Sequence, residues 1–198
     1  MRGFELVLDK HRKYPDCKIN IPQRGTLRSA GYDICTPVDI LIPARGQSGV
    51  IFTDIKAYMG PDEVLTTHVR SSIGMKRGLV LANVTGIIDS DYYSNPDNDG
   101  NIGFMLRNLT DEDVIIKAGE RVIQGIFIKY LVSDDDQPKS EERLGGVGST
   151  GKNRLKSFKV TAINAIVSLC AYERNKSLKT KGGPGSKFGP SKKATVFI

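Results

Sequence analysis

Apolar residues along the first two thirds of this chain come in short runs punctuated by turn formers. The segments VLDKHRKYP, VDILIPARG, GVIFTDIKAYMGP, EVLTTHVRSS, GLVLANVTGIID, NIGFMLRNLT, DVIIKAGER and VIQGIFIKYLVSD each concentrate Val, Ile, Phe or Thr between Gly, Pro, Asn or Asp. A half-buried strand shows apolar residues at alternate positions, whereas a strand buried on both faces shows a continuous run. Several of these runs are nearly continuous. Their length and spacing predict an all-β sandwich or barrel. One short helix is predicted near 71–76.

The pattern changes after Asp134. DDDQPKSEER reads as a solvated linker and LGGVGSTGKN as a glycine-rich loop. Beyond it, Ile163, Ile166, Val167 and Cys170 fall at i, i+3, i+4 and i+7, the stripe of an amphipathic helix. The stretch KTKGGPGSKFGPSKK has the low-complexity composition of a disordered segment. The chain therefore divides into a β body over 1–132, a linker and glycine-rich arm over 133–151, and a basic tail over 152–198.

Charge sharpens that division. The whole chain carries 29 Lys and Arg against 22 Asp and Glu, a net charge of +7. From Lys152 onward there are 11 basic residues and one acid, Glu173, so the tail alone carries +10 and the rest −3. The basicity belongs to the tail, for which weak, salt-sensitive polyanion binding is expected. With 198 residues the chain is long enough to bury a core without disulfides. Three cysteines and two histidines lack metal-ligand spacing, which argues against a structural zinc site. No run of 18 apolar residues is present, and MRGFELVLDKHRKYPD is broken by charges too early to be a secretory signal. An intracellular protein of the cytoplasm or nucleus is expected.

Five blocks carry candidate chemistry: AGYDI at 30–34, RSSIG at 70–74, GIIDSDY at 86–92, GERVIQ at 119–124 and GGVGSTG at 145–151. Arg70, Ser71 and Ser72 at a strand end offer a guanidinium fork, two hydroxyls and backbone N–H groups, which suit phosphate oxygens. The glycine-rich Ser-Thr loop suits phosphates in the same way. Asp89 at a strand-to-turn junction can orient or deprotonate a water. Together the blocks point to hydrolysis of a phosphate ester or anhydride. A Walker A loop from Gly146 to Lys152 is the rival reading of the glycines. It fails on Asn153, which lacks the hydroxyl for Mg²⁺, and on a preceding segment too polar to be a buried strand.

In order and spacing the five blocks, with LANVTGIIDSDY at 81–92 the most specific, resemble the trimeric dUTP diphosphatase (dUTPase) family over Pro22 to Gly151. The resemblance implies a β jelly-roll barrel, a homotrimer with active sites at subunit interfaces, a mobile C-terminal arm, Mg²⁺ dependence and hydrolysis of dUTP to dUMP and diphosphate. Asp89 would then activate the water that attacks the α-phosphate. Tyr92 would lie under the deoxyribose, where a 2′-hydroxyl would clash. Asn83, with the backbone at Ile87, Ile88 and Gly103, would read the uracil edge. Arg70, Ser71, Ser72 and Gln124 would bind phosphates, and Asp33 would hold Mg²⁺ through water. Arg143, Val147, Gly148, Ser149 and Thr150 would close over the nucleotide from the arm.

Three departures from the family pattern stand out. Val147 replaces the Phe that usually stacks on the base. The spacing from Arg143 to the glycines is one residue short. A polar turn, YSNPDND at 93–99, replaces a much shorter one and reads as an extended hairpin, a partner surface or an accessory cation site. A dCTP deaminase-like enzyme and a regulatory binding protein on the same scaffold are the rival functions. The first lacks the glutamate its chemistry needs in the base pocket, and the second draws on Val147, the long turn and the tail.

Overall fold

The computed structural model describes residues 1–138 together with Arg143 and Gly145. Thirteen strands account for most of the regular structure in this region. They are β1 (Gly3–Leu6), β2 (Gln23–Arg24), β3 (Tyr32–Cys35), β4 (Ile40–Ile42), β5 (Ile51–Phe52), β6 (Ile55–Tyr58) and β7 (Glu63–Val69), followed by β8 (Leu79–Leu81), β9 (Gly86–Asp89), β10 (Gly103–Phe104), β11 (Leu106–Asn108), β12 (Val114–Ile116) and β13 (Arg121–Lys129). Among the described residues the one α-helix, α1 (Ser71–Arg77), falls where the sequence placed it and ends on Gly78 in the left-handed conformation, while the helical stripe expected at 163–170 lies outside the described residues.

A five-stranded sheet ordered β2-β3-β13-β7-β9 organises the molecule, and four two-stranded ladders, β1-β6, β5-β10, β8-β11 and β4-β12, complete it. The apolar runs supply the core, although Leu8, Ile87, Ile128, Leu131 and Val132 remain exposed. Ile34, Ile42, Leu79, Leu106, Ile116, Val122 and Ile123 are fully enclosed in one cluster, each such side chain contributing about 1.5–3 kcal/mol by leaving water. A smaller cluster of Ala57, Leu65 and Ile102 packs against Phe4, Ile88 and Phe127.

Some predicted strands are shorter than their sequence segments. VLDKHRKYP contains no strand: β1 ends at Leu6, just before it, and the segment itself turns through a 3-10 helix at Asp9–His11. Its backbone is captured there by the buried Asp54, whose carboxylate accepts from Lys13 N and Tyr14 N, both at 2.8 Å. Asp54 also has φ +57°, which breaks GVIFTDIKAYMGP into β5 and β6. The AGYDI block, read for its chemistry, contributes Tyr32, Asp33 and Ile34 to β3, and of these only Ile34 is buried. No helix of the described residues is long and apolar enough to cross a membrane.

Candidate active site

The turn that joins β8, paired with β11, to β9, paired with β7, spans Asn83–Thr85. Val84 is forced to φ +65°, an uncommon conformation for a β-branched residue, and is largely exposed at the tip. Gly86 follows because no side chain fits: a Cβ there would collide with Thr67 Oγ1 on β7. β9 then runs antiparallel to β7, with Gly86 opposite Thr67 and Asp89 opposite Val64. From Gly86 to Asp89 is about 10 Å of strand, close to the length of a nucleoside. Ala82 N–H donates to Met105 C=O at 2.8 Å, continuing the β8–β11 register so that Asn83 and Gly103 share the turn end of β9. Ile87 is exposed and Ile88 packs into the smaller core cluster, so the two carry opposite faces of this strand.

At the far end of β9, Asp89 stands beside Asp91 and Tyr92 at the entry to a 3-10 turn. Arg143 reaches this corner. Its guanidinium pairs with the Asp89 carboxylate, donates from Nε to Asp91 Oδ1 at 2.8 Å, and lies 5.6 Å from the centroid of the Tyr92 ring. The ring is buried, and burial pushes the phenol above its usual pKa while a hydrogen bond from Asn98 pulls the other way. The phenol is therefore a neutral donor and acceptor.

A second cluster forms where β3, β13 and β7 lie side by side. Asp33, Gln124 and His68 occupy one row across the three strands. Gly31 leaves space for the Gln124 side chain, since a Cβ there would meet its Oε1. Asp33 is gripped by two arginines, Arg70 Nε at 2.6 Å and Arg121 Nη1 at 3.1 Å. Arg70 also serves as the residue before α1, placing Ser71 and the partly exposed Ser72 in the first turn of that helix. Arg121 and Asp91 received no role from the sequence. Each sits inside a quoted block, so their proximity to Asp33 and Arg143 was the missing signal. Two further residues, Asn98 and Asn101, hold the Tyr92 hydroxyl and lie in the long turn and just after it.

The two clusters do not meet. Asp89 lies opposite Val64, near the start of β7, and Arg70 follows the last residue of that strand, six residues and about 20 Å further on. Val147, Gly148, Ser149 and Thr150 lie outside the described residues. No group of three or more His, Cys, Asp or Glu side chains among the described residues is placed to hold a metal ion.

A dUTPase family model matches residues 17–151. The deoxyuridine 5′-triphosphate nucleotidohydrolase of Lactococcus lactis is 51% identical over 152 residues, covering 76% of this chain and 98% of its own. The Arabidopsis thaliana enzyme of the same name is 35% identical over 138 residues, covering 68% of this chain and 78% of its own. Among solved structures, the Streptococcus mutans dUTPase is 42% identical and covers 67% of this chain and 98% of its own, with a TM-score of 0.58. A sheet frame that sets Asp89 and Tyr92 at one end of β7 and the Arg70 cluster at the other, a family match over about two thirds of the sequence, and half-identity to a relative covered almost end to end lead to one assignment: this chain belongs to the dUTPase family.

Proposed function

We propose that this protein is a dUTP diphosphatase, hydrolysing dUTP to dUMP and diphosphate and so keeping uracil out of DNA. The observation that carries the reading is the 51% identity to the Lactococcus lactis nucleotidohydrolase across nearly all of that enzyme. Asp89 is the base: its carboxylate takes a proton from a water whose oxygen bonds to the α-phosphorus. The bond from that phosphorus to the bridging oxygen breaks, and diphosphate leaves with the electron pair. Asn83 and the hairpin backbone at Ile87, Ile88 and Gly103 read the uracil. Polar groups built to pair with uracil are left unpaired by cytosine, which is how such pockets reject the wrong base. Tyr92 lies under the sugar, and Arg143 with Val147, Gly148, Ser149 and Thr150 completes the enclosure from the arm.

The substrate's direction along β9 calls for a second copy of the chain. With the base at the turn end and Asp89 at the phosphate end, the same chain's Arg70 lies beyond the base end and is misplaced for phosphates. Arg70, Ser71, Ser72 and Gln124 therefore serve the site of a neighbouring subunit, in a homotrimeric jelly-roll assembly whose sites lie between protomers. Asp33 is a lone carboxylate already paired with two arginines, so it does not suit a resident all-protein site, and any Mg²⁺ it held through water would arrive with the triphosphate and keep most of its own waters. Mg²⁺ bound there would offset phosphate charge, and Asp33 would orient its waters. The tail at 152–198 adds a weak polyanion-binding element, and the free thiols Cys17 and Cys35 accord with an intracellular setting.

Diphosphate release by the purified protein from a panel of deoxynucleoside triphosphates with Mg²⁺ tests this reading. Rapid release from dUTP alone supports it. Ammonia released from dCTP without diphosphate would replace it with the deaminase.

A further inference from the structure

The long turn after Tyr92 folds back onto Tyr92 itself. Asn95 organises it: its side-chain oxygen accepts from Asp97 N and Asn98 N at 3.1 Å, and its amide donates to the Tyr92 carbonyl at 2.8 Å. Gly100 adopts φ +79° and passes so close that a Cβ would sit 2.8 Å from the Tyr92 carbonyl oxygen. The turn is then fastened to the body. Asp99 receives Leu8 N–H at 2.7 Å and the buried Lys56 ammonium at 3.1 Å, and Asn101 donates to Asp54 at 2.9 Å. Burial opposes ionisation of Asp99, yet Leu8 N–H and Lys56 together hold its carboxyl below the usual range. This segment is a rigid buttress.

Asn98 is where the buttress meets the Tyr92 side chain. Its oxygen accepts from Gly100 N–H at 3.1 Å and from the Asn95 amide at 2.8 Å, and its nitrogen donates to Tyr92 Oη at 2.7 Å and to Asn101 C=O at 3.3 Å. The orientation of this amide is not free. The Gly100 N–H can only donate and the Asn101 carbonyl can only accept, so the oxygen and nitrogen of Asn98 cannot exchange places. Tyr92 must therefore accept from Asn98 and give its own proton to Asn101 C=O, 3.1 Å away. The hydroxyl at the end of the ring is held by two bonds of fixed polarity, while the opposite edge of the residue is held through its carbonyl.

We propose that Asn98 is a positioning residue for sugar selection: it locks the Tyr92 hydroxyl, and with it the plane of the ring, in the orientation that accepts a deoxyribose and refuses a ribose. This rests on the reading that Tyr92 lies under the sugar. A ring free to tilt about its Cβ would make room for a 2′-hydroxyl, and the cost of doing so is set by the bonds at Oη. The discrimination is thereby built into a turn that carries none of the residues assigned to the nucleotide.

The test compares kcat/KM for dUTP and UTP, with melting temperature, in full-length Asn98→Asp, Tyr92→Phe, the double variant and Tyr92→Ala. Asn98→Asp keeps the shape and the acceptor bonds and removes both donors. It should lower the preference for dUTP over UTP by about tenfold, the scale of one well-made hydrogen bond. Tyr92→Phe should lower it similarly, and the double variant no further than either single one. Tyr92→Ala should lower it most. A reduced melting temperature with an unchanged ratio in Asn98→Asp, alongside a collapsed ratio in Tyr92→Ala, would overturn the role of Asn98 and leave the place of Tyr92 standing. An unchanged ratio in Tyr92→Ala would overturn the place of Tyr92 and the proposal with it. Should Asn98→Asp fail to fold, Tyr92→Phe decides: it leaves the bonds from Gly100 and Asn95 to Asn98 intact, and an unchanged ratio there sinks the idea.

Discussion

Asp89 and Arg70 stand at opposite ends of β7, one across the strand from Val64 and the other immediately after Val69. Both belong to the chemistry proposed here, and about 20 Å of extended chain separates their backbones. An arginine side chain spans only part of that gap, so the two cannot act on one phosphate within one chain.

Two inactive variants should therefore rescue each other. Asp89→Asn keeps the shape of the carboxylate and cannot accept the proton of water, so hydrolysis should fall about 10²–10⁴-fold while dUTP binding persists. Arg70→Ala should raise KM and lower kcat. Unfolded together and reassembled in equal amounts, the two variants should recover activity at about a quarter of the sites, those drawing Asp89 and Arg70 from different intact subunits. No recovery, with mixed oligomers shown by mass, would place both residues in a single-chain site.

Gly86→Ala should destabilise the protein by about 1–3 kcal/mol, because the new methyl is driven into Thr67 Oγ1 on the neighbouring strand. Thr67→Ala removes that obstacle, so the double variant should regain most of the loss in urea denaturation. Additive losses in the two variants would mean that the close approach of β7 and β9 at this point is not what demands glycine.

Acid should weaken the hold of the N-terminus on the body. Glu63 accepts a hydrogen bond from the Arg2 side chain and another from Gly60 N–H at 2.9 Å, and these bring its pKa from 4.5 down to about 2. The folded value lies below the unfolded one, so this contribution is complete above pH 4.5 and is lost as the pH falls towards 2. Arg2→Ala removes the larger cause. Urea midpoints of the two proteins should differ above pH 4.5 and converge near pH 2; a constant difference at both ends would assign the effect of Arg2 to something other than Glu63.

A chain shortened to end at Asn153 should keep its turnover of dUTP, since the family match ends at residue 151. The same truncation should abolish retention on heparin or duplex DNA at low salt, because it removes nearly all of the +10 tail. Affinity of the full chain should fall steeply with salt as counterions are displaced. Equal retention of both proteins at every salt concentration would show that the tail contributes nothing to polyanion binding.

The sequence determined the strand content and the short helix at Ser71–Arg77, and it supplied the candidate site residues, because these are local matters. Apolar runs between turn formers specify strands, and RSSIG or GIIDSDY can be read wherever they fall in space. It also placed a glycine at 86 without giving the reason, which is a threonine nineteen residues earlier in the chain. Only the tertiary structure decided which candidates are neighbours. Strand register sets Asp33 beside Gln124 and sends Asp89 to the far end of β7 from Arg70, and register depends on long-range pairing that no local pattern records. The turn at 93–99 shows the same limit. Its polar composition reads as an extended hairpin, a partner surface or an accessory cation site, yet Asn95 and Asp99 are buried, because each side-chain polar atom finds a partner, from Tyr92, Asp97 and Asn98 for Asn95 and from Leu8 and Lys56 for Asp99. Burial of polar groups is tolerated only when such partners are in place, and their positions exist only once the chain has folded.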